Sequence, residues 1–390
     1  MSEAPAGTAG AQILVVDDSS FNRLLLKRRL AELGYGEPDM AVNGVEALAA
    51  IAAKRFDVVL LDLEMPELDG IGVLERLHGQ NGAPPVIVIS AQTEMSGVIR
   101  CIELGAEDYL PKSFDPPLLK ARLQAVLEKK RLRDLADERL RALEAELESA
   151  RRAQLSLVPR DFTGLSRGRL TVAAHMEPAR EVGGDLYDMR WVGAGHLVFV
   201  VADVAGKGAS AGLTMARSMG LIRAGLRLAE IRGEVPDPGR LLALANDDLA
   251  ADNPDMTFVT AALGVLDAET GEGRICVAGH EAPLLLSDAG VRMMGGYSIQ
   301  PALGVMEEFP YSSTGFTLTP GETLLLLTDG VTEAQDAPGD LFGKDRVVEA
   351  LSGQIEPGPA IEALLRGMAD FVKGAPPADD VTVLAVRYLP

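Results

Sequence analysis

The apolar positions change their period along the chain, and each change marks a boundary. Over residues 11–130 short all-apolar runs alternate with stretches of helical spacing. "QILVVDD" reads as a buried strand ending in acids, and residues 20–33 place Phe21, Leu24, Leu25, Leu30 and Leu33 at helical intervals. "PDMAV" follows as a weak strand, "GVEALAAIAAK" as a helix, "FDVVLLDLEMP" as a strand running into a loop, and "GIGVLERLH" as a helix. "PPVIVIS", "SGVIRCIELG" and "AEDYLPK" repeat strand, helix and strand before a long helix begins. Five strands alternating with helices predict an α/β doubly wound fold, an open parallel sheet with helices on both faces.

From Pro116 to Val158 there is no strong breaker, and the composition turns to Leu, Ala, Glu and Arg. Leu140, Leu143, Leu147, Ala150, Gln154 and Leu157 step by three and four, a heptad seam that Leu132 and Leu135 join only after a one-residue slip. The spacing predicts a long helix with a coiled coil in its second half, ended by Pro159. Beyond it come many short apolar runs: "LVFVVADV", "FVTAALGVLD", "GRICVAGH", "PLLLSD", "ETLLLLTDG" and "VTVLAVR". Helical stretches fall near 210–232, 238–250 and 358–373, so this part reads as an α+β domain of packed sheets flanked by helices. The expected division is a disordered tail over 1–10, a first domain over 11–118, a helical linker over 119–158 and a second domain over 160–390.

Composition narrows the function classes. The formal net charge of the 390 residues is −20, which argues against non-specific nucleic-acid binding by the whole chain. Residues 118–160 run against that trend, with 11 Lys and Arg to 7 Asp and Glu. A transcription regulator would need a helix-turn-helix with a basic recognition face after the first domain, and the basic stretch is instead a heptad helix of mixed charge. No apolar run reaches the roughly 18 residues that span a bilayer, and "MSEAPAGTAGAQ" has neither part of a signal peptide. Cys101 and Cys276 stand far apart and read as small buried apolar residues, and a reducing cytoplasmic setting fits best.

Candidate chemistry gathers first at the strand ends of the α/β part. Asp17 and Asp18 end its first strand and Asp62 its third, and in a doubly wound sheet these ends lie side by side. Three carboxylates there suit Mg²⁺, which takes oxygen ligands. Ser90 ends the fourth strand and Lys112 the fifth, a hydroxyl and an ammonium able to hold phosphoryl oxygens. Asp62 can then be a carboxylate nucleophile forming an acyl phosphate. "VVDDSS", "LLDLEMPELDG", "VIVISA" and "GAEDYLPKSF" resemble the response-regulator receiver domain. The resemblance implies Asp62 as phospho-acceptor, Asp17, Asp18, Asp62 and the Glu64 carbonyl around Mg²⁺, and Ser90, Tyr109 and Lys112 as the switch. It also implies a sensor histidine kinase as partner. Ser113 stands where that family usually has proline.

In the second domain four acidic spots sit at the loop edges of apolar runs: Asp185, Asp203, Asp329 and Asp379. No nucleophilic Ser or Cys accompanies them, and His175, His196 and His280 are unclustered, which argues against zinc. A pure carboxylate set suits Mg²⁺ or Mn²⁺, and two such ions can activate a water for in-line attack on phosphorus. Arg180 is placed to grip a phosphate. "AREVGGDLYD", "ADVAGKGASAGLTMA", "FVTAALGVLD", "AGHEAPLLL", "LLLLTDGVTEA" and "DDVTVLAVR" resemble the SpoIIE-like branch of the PPM-type metal-dependent Ser/Thr protein phosphatases. That resemblance implies two Mn²⁺ or Mg²⁺ ions held by Asp185, Asp203, Asp329, Asp379 and the Val204 carbonyl, with Asp203 bridging. Asp380 is then only the neighbour of a ligand, in a slot where relatives often carry Asn, and its replacement is expected to cost much less than that of Asp379. Glu281 stands where the branch more often has Asn or Pro, and Lys207, His280 and Glu333 are structural by default.

Together the resemblances imply a phosphorylation-regulated phosphatase acting on a STAS-type anti-sigma-factor antagonist, and the heptad helix adds the expectation of a homodimer joined through residues 119–158. The rival expectation is a non-catalytic adaptor that sequesters such a partner. Loss of some of the four aspartates would favour the adaptor, and none is lost.

Overall fold

The computed structural model describes residues 10–80, 82–91, 95–180, 182–193, 195–251 and 253–390, without the side chains of 95 and 96. The expected tail over 1–10 therefore lies, but for Gly10, outside the described residues. Two compact units divide the chain, Met1–Leu143 and Glu144–Pro390.

In the first unit the strands are β1 (Ile13–Val16), β2 (Asp39–Ala41), β3 (Val58–Leu61), β4 (Val86–Ser90) and β5 (Asp108–Pro111). They form one parallel sheet in the order β2-β1-β3-β4-β5. The helices between them are α1 (Ser20–Glu32), α2 (Gly44–Ala53), α3 (Gly70–Leu77) and α4 (Met95–Glu103). Alternation along each strand explains the unbroken apolar runs. Leu14, Val16, Val59, Leu61, Val86 and Val88 pack to one side with α2 and α3, while Ile13, Val15, Val58, Leu60, Ile87 and Ile89 pack to the other with α1. The reversal of strand order between β1 and β3 brings the ends of those strands together, with Asp17 and Asp62 just past them.

The long helix α5 runs unbroken from Pro116 to Leu155. Its beginning differs from the expected linker: Leu119, Leu123 and Val126 are buried in the core of the first unit. The boundary expected at 118 thus falls inside a helix whose next two turns complete that core. The one-residue slip leaves no break in the helix, and Leu132, Leu140, Leu143 and Leu147 are exposed along it.

The second unit has two five-stranded antiparallel sheets. One has the order β13-β10-β9-β8-β7, built from β7 (Leu186–Val192), β8 (His196–Val204), β9 (Val259–Asp267), β10 (Glu272–Ala278) and β13 (Thr314–Thr317). The other has the order β12-β11-β14-β15-β6, built from β6 (Leu170–Glu177), β11 (Leu284–Ser287), β12 (Gly290–Met293), β14 (Thr323–Leu327) and β15 (Val381–Tyr388). Helices α6 (Ala209–Arg232) and α7 (Pro238–Ala250) pack on the first sheet, and α9 (Gly343–Leu351) and α10 (Pro357–Val372) on the second. A one-turn helix α8 (Asp329–Thr332) follows β14. Burial on both faces accounts for the apolar runs here too: Leu324 and Leu326 join the core with β8 and β9, while Leu325 and Leu327 face α9 and α10. No described helix is long and apolar enough to cross a membrane.

Candidate active sites: two acidic clusters

The acids of the first unit converge. Asp17, Asp18 and Asp62 each offer a carboxylate oxygen within 4.8 Å of the others, and among the described residues this is the only such group of three or more possible metal ligands. Asp17 and Asp62 are buried and Asp18 is exposed. Asp17 is fixed locally, accepting from Ser19 N (2.9 Å) and from Asn22 Nδ2 (3.1 Å) in the first turns of α1. Lys112 Nζ stands 2.6 Å from Asp62 Oδ2 and 3.2 Å from Asp17 Oδ2. Burial raises the Asp62 carboxyl above its ordinary range despite that ammonium. Lys112 is in turn held above its usual range, because Asp62 and Asp17 outweigh the effect of its own burial. Glu64 N lies 3.5 Å from Asp62 Oδ1. Ser90 is fully buried and its side chain bonds to Tyr109, whose phenol is raised by burial and moderated by that bond. Every residue expected at this site is therefore present at one sheet edge, and hard oxygen donors with one open, exposed member suit Mg²⁺. Among the described residues there is no cis peptide bond, so Lys112–Ser113 is trans.

The second cluster is assembled from both sheets of the second unit. Asp185 immediately precedes β7, and β7 pairs with β8 so that Leu186 faces Ala202, which sets Asp185 across from Asp203. Asp329 opens α8 directly after β14, and Asp379 lies two residues before β15. Thr328 ties the sheets together: its N–H donates to Thr382 O (3.0 Å), and its Oγ1 donates to Asp185 Oδ2 (2.8 Å) while accepting from Thr382 N (3.0 Å). Glycine is required at two positions in the loop before β7. A Cβ on Gly184 would stand 2.8 Å from the Val204 carbonyl oxygen, and one on Gly183 would stand 2.3 Å from Asp380 Oδ2.

These acids perturb one another. Asp185 is 1% exposed, and burial, then the Asp203 charge, hold its carboxyl well above the usual range. Asp203 is pushed up to about 7 by burial and by the charges of Asp329 and Asp379, although a hydrogen bond with Asp185 opposes the rise. Asp329 is raised by burial, then by Glu333, Asp379 and Glu281. Carboxylates gathered this closely retain protons unless a cation compensates their charge. The donor set therefore fits a hard divalent metal. Unlike the first cluster, no three of these carboxylates bring oxygens within 4.8 Å of one another.

Sequence reasoning missed several parts of this site. Asp380 carries more than the role of a neighbour. It is 7% exposed, its Oδ1 accepts from Ala179 N (2.7 Å), and its Oδ2 accepts from Gly184 N (2.5 Å) and Asp185 N (3.3 Å). Asp379 is far more open and pairs with Lys207 Nζ at 3.0 Å. Adjacent residues entering a strand point to opposite sides, so one carboxylate faces the loop and the other the rim. His280, Glu281, Tyr297, Lys344 and Asp329 line a cleft of about 280 Å³, with Glu281 and Lys344 paired at 2.8 Å. Arg180 is exposed, and no described side chain pairs with it. His280 and Glu333, structural by default in the sequence, both lie at the Asp329 end of the cluster.

Comparison with known proteins bears on both clusters. The family described as stage II sporulation protein E (SpoIIE) matches residues 193–389. The chain belongs to the SpoIIE family. The response regulator receiver domain matches residues 13–124, so this SpoIIE chain carries a receiver ahead of its phosphatase-type domain. Protein IcfG of Synechocystis is 30% identical over 270 residues, which are 62% of this chain and 41% of IcfG. Response regulator MprA of Mycobacterium tuberculosis is 40% identical over 126 residues, 32% of this chain and 54% of MprA. The chain thus spans about half the length of the curated relatives it matches. Among solved structures, the SiaA-PP2C domain of Pseudomonas aeruginosa matches with a TM-score of 0.54 at 24% identity, covering 64% of this chain and 98% of that domain. That likeness establishes the PP2C fold of the second unit.

Proposed function

We propose that this SpoIIE chain is a metal-dependent phosphoserine and phosphothreonine protein phosphatase governed by phosphorylation of Asp62. The observation that carries the reading is the convergence of Asp185, Asp203, Asp329 and Asp379 into one mutually repelling set. In this reading Asp185, Asp203, Asp329, Asp379 and the Val204 carbonyl would hold two Mn²⁺ or Mg²⁺ ions. When bound, the ions supply an activated water and neutralise charge on the phosphate. The chain's own residues do the rest. Thr328 orients Asp185, Lys207 orients Asp379, and the exposed Arg180 grips the phosphate of the incoming protein.

In the receiver, Asp62 accepts the phosphoryl group from a sensor histidine kinase, with Mg²⁺ held by Asp17, Asp18, Asp62 and the Glu64 carbonyl. Ser90, Tyr109 and Lys112 respond to it. The substrate in this proposal is a phosphorylated STAS-type anti-sigma-factor antagonist in the cytoplasm, and neither nucleic acid nor membrane is a partner. The chain acts as a homodimer through residues 119–158, which the exposed Leu132, Leu140, Leu143 and Leu147 support. The test is phosphate release from a phosphorylated STAS protein in Mn²⁺, with and without beryllofluoride, beside Asp379→Asn. Mn²⁺-dependent release that beryllofluoride alters and Asp379→Asn removes is expected. Binding of the phosphoprotein without release would favour the adaptor instead.

A further inference from the structure

The heptad seam contains one residue that does not suit it. Gln154 occupies a seam position in the last turn of α5, and it is 5% exposed. A buried amide needs partners, and both of these lie on one residue. Gln154 Nε2 donates to Gly183 O at 2.5 Å, and Gly183 N donates to Gln154 Oε1 at 3.1 Å. The side chain thus copies a strand neighbour, satisfying both backbone groups of a residue two positions before Asp185. The same loop is pressed from two other directions. Asp380 accepts the N–H groups of Gly184 and Asp185. On α6, a Cβ at Gly212 would stand 2.3 Å from Val182 Cγ1.

The end of the helix is anchored beside that clamp. Arg223 of α6 donates from Nη2 to Leu157 O (2.6 Å) and from Nε to the buried Asp188 Oδ2 (2.7 Å) on β7. The Tyr187 hydroxyl, also on β7, donates to Pro159 O. The last turn of α5, the loop 182–185 and the start of β7 therefore move together or not at all. Without Gln154, the N–H and C=O of the buried Gly183 lose these partners, and the loop gains a reason to rearrange.

We infer that Gln154 is a positioning residue for Asp185: the amide at the end of the linker helix holds the loop 182–185 in the one arrangement that presents this carboxylate to a metal. The inference rests on the metal-dependent reading above. It makes the linker's last turn part of the metal site, so that displacing the turn weakens metal binding before it affects anything else.

The test uses the full chain and Mn²⁺ alone as probe, with free Mn²⁺ read by electron paramagnetic resonance. Gln154→Met keeps the volume and removes both hydrogen bonds. Gln154→Glu keeps one acceptor and turns a carboxylate oxygen against Gly183 O, and it serves if the methionine variant fails to fold. Asp185→Asn is the control, and the receiver's own acidic site, untouched in all variants, is the internal reference. Loss of an outer partner of a metal ligand typically weakens affinity by about 10–100-fold, and that weakening is expected here for both Gln154 variants. Amide hydrogen exchange over 179–185 should rise in parallel. Turnover of p-nitrophenyl phosphate should return to within about twofold of the unmodified chain at saturating Mn²⁺, which a general loss of structure would not allow. If Asp185→Asn weakens Mn²⁺ binding and Gln154→Met and Gln154→Glu leave it unchanged, the inference is wrong and the metal reading stands. If Asp185→Asn also leaves binding unchanged, the metal reading itself fails and takes this inference with it.

Discussion

Both units collect aspartates at strand ends, yet they manage the charge differently. In the receiver an ammonium is built in: Lys112 touches Asp62 and Asp17, and three carboxylates lie within 4.8 Å of one another. In the phosphatase-type unit Lys207 pairs with the partly open Asp379, while the buried Asp185 lies beside the half-buried Asp203 with no ammonium of its own among the described residues. A cluster with its own counter-charge tolerates the absence of metal. One without it must take up protons or cations. The first arrangement suits a site whose charge changes when a phosphoryl group arrives, and the second suits a site committed to resident ions.

The largest expected effect that separates the two is catalytic. Asp329→Asn should lower Mn²⁺-dependent phosphate release by about 10³-fold while leaving labelling of Asp62 by acetyl phosphate unchanged. Equal losses in both assays would erase the distinction. Next is the contrast between the paired aspartates. Asp380→Ala strips the acceptor from three N–H groups and should destabilise the second unit by about 3 kcal/mol in thermal unfolding. Asp379→Ala, at a half-open ion pair, should cost under about 1 kcal/mol while still removing turnover.

A smaller effect follows from titration. In chelator, the folded-state value of about 7 for Asp203 lies above its ordinary 3.8. The folded form then binds the proton more tightly, so this contribution is fully present below pH 3.8 and is lost as pH rises through 7. The stability of the second unit without metal should therefore fall between pH 5 and pH 7 by on the order of 2 kcal/mol, and Mn²⁺ should cancel the loss. The smallest is Lys112→Ala, which makes the receiver resemble the other cluster. Its ion pairs are partly open, so a loss of about 1 kcal/mol is expected, restored by Mg²⁺.

Much of this was legible in the sequence, for reasons visible in particular elements. The strands β1, β3, β4, β8, β14 and β15 are buried on both faces and read as apolar runs. β7 did not, because Asp188 and Arg190 interrupt "LYDMRWV", and their purpose is to meet Arg223 and each other. β6 has intermediate burial at most positions and gives no clean period. The candidate ligands were recognisable by motif, but the different surroundings of Asp379 and Asp380 were not. Adjacency in the chain hides opposite directions in space. Gln154 was misread for a related cause: heptad spacing identifies a buried stripe without saying what covers it, and here Gly183 does.

The central claim is that the receiver cluster accepts phosphate and the second cluster removes it. The most direct measurement is phosphate release from a phosphoserine protein across a Mn²⁺ titration, comparing the unmodified chain with Asp62→Asn and Asp203→Asn. The account predicts that Asp62→Asn keeps Mn²⁺-dependent turnover, though no longer responsive to acetyl phosphate, and that Asp203→Asn has none at any Mn²⁺ concentration. Turnover surviving in Asp203→Asn, or vanishing in a folded Asp62→Asn protein, would contradict it.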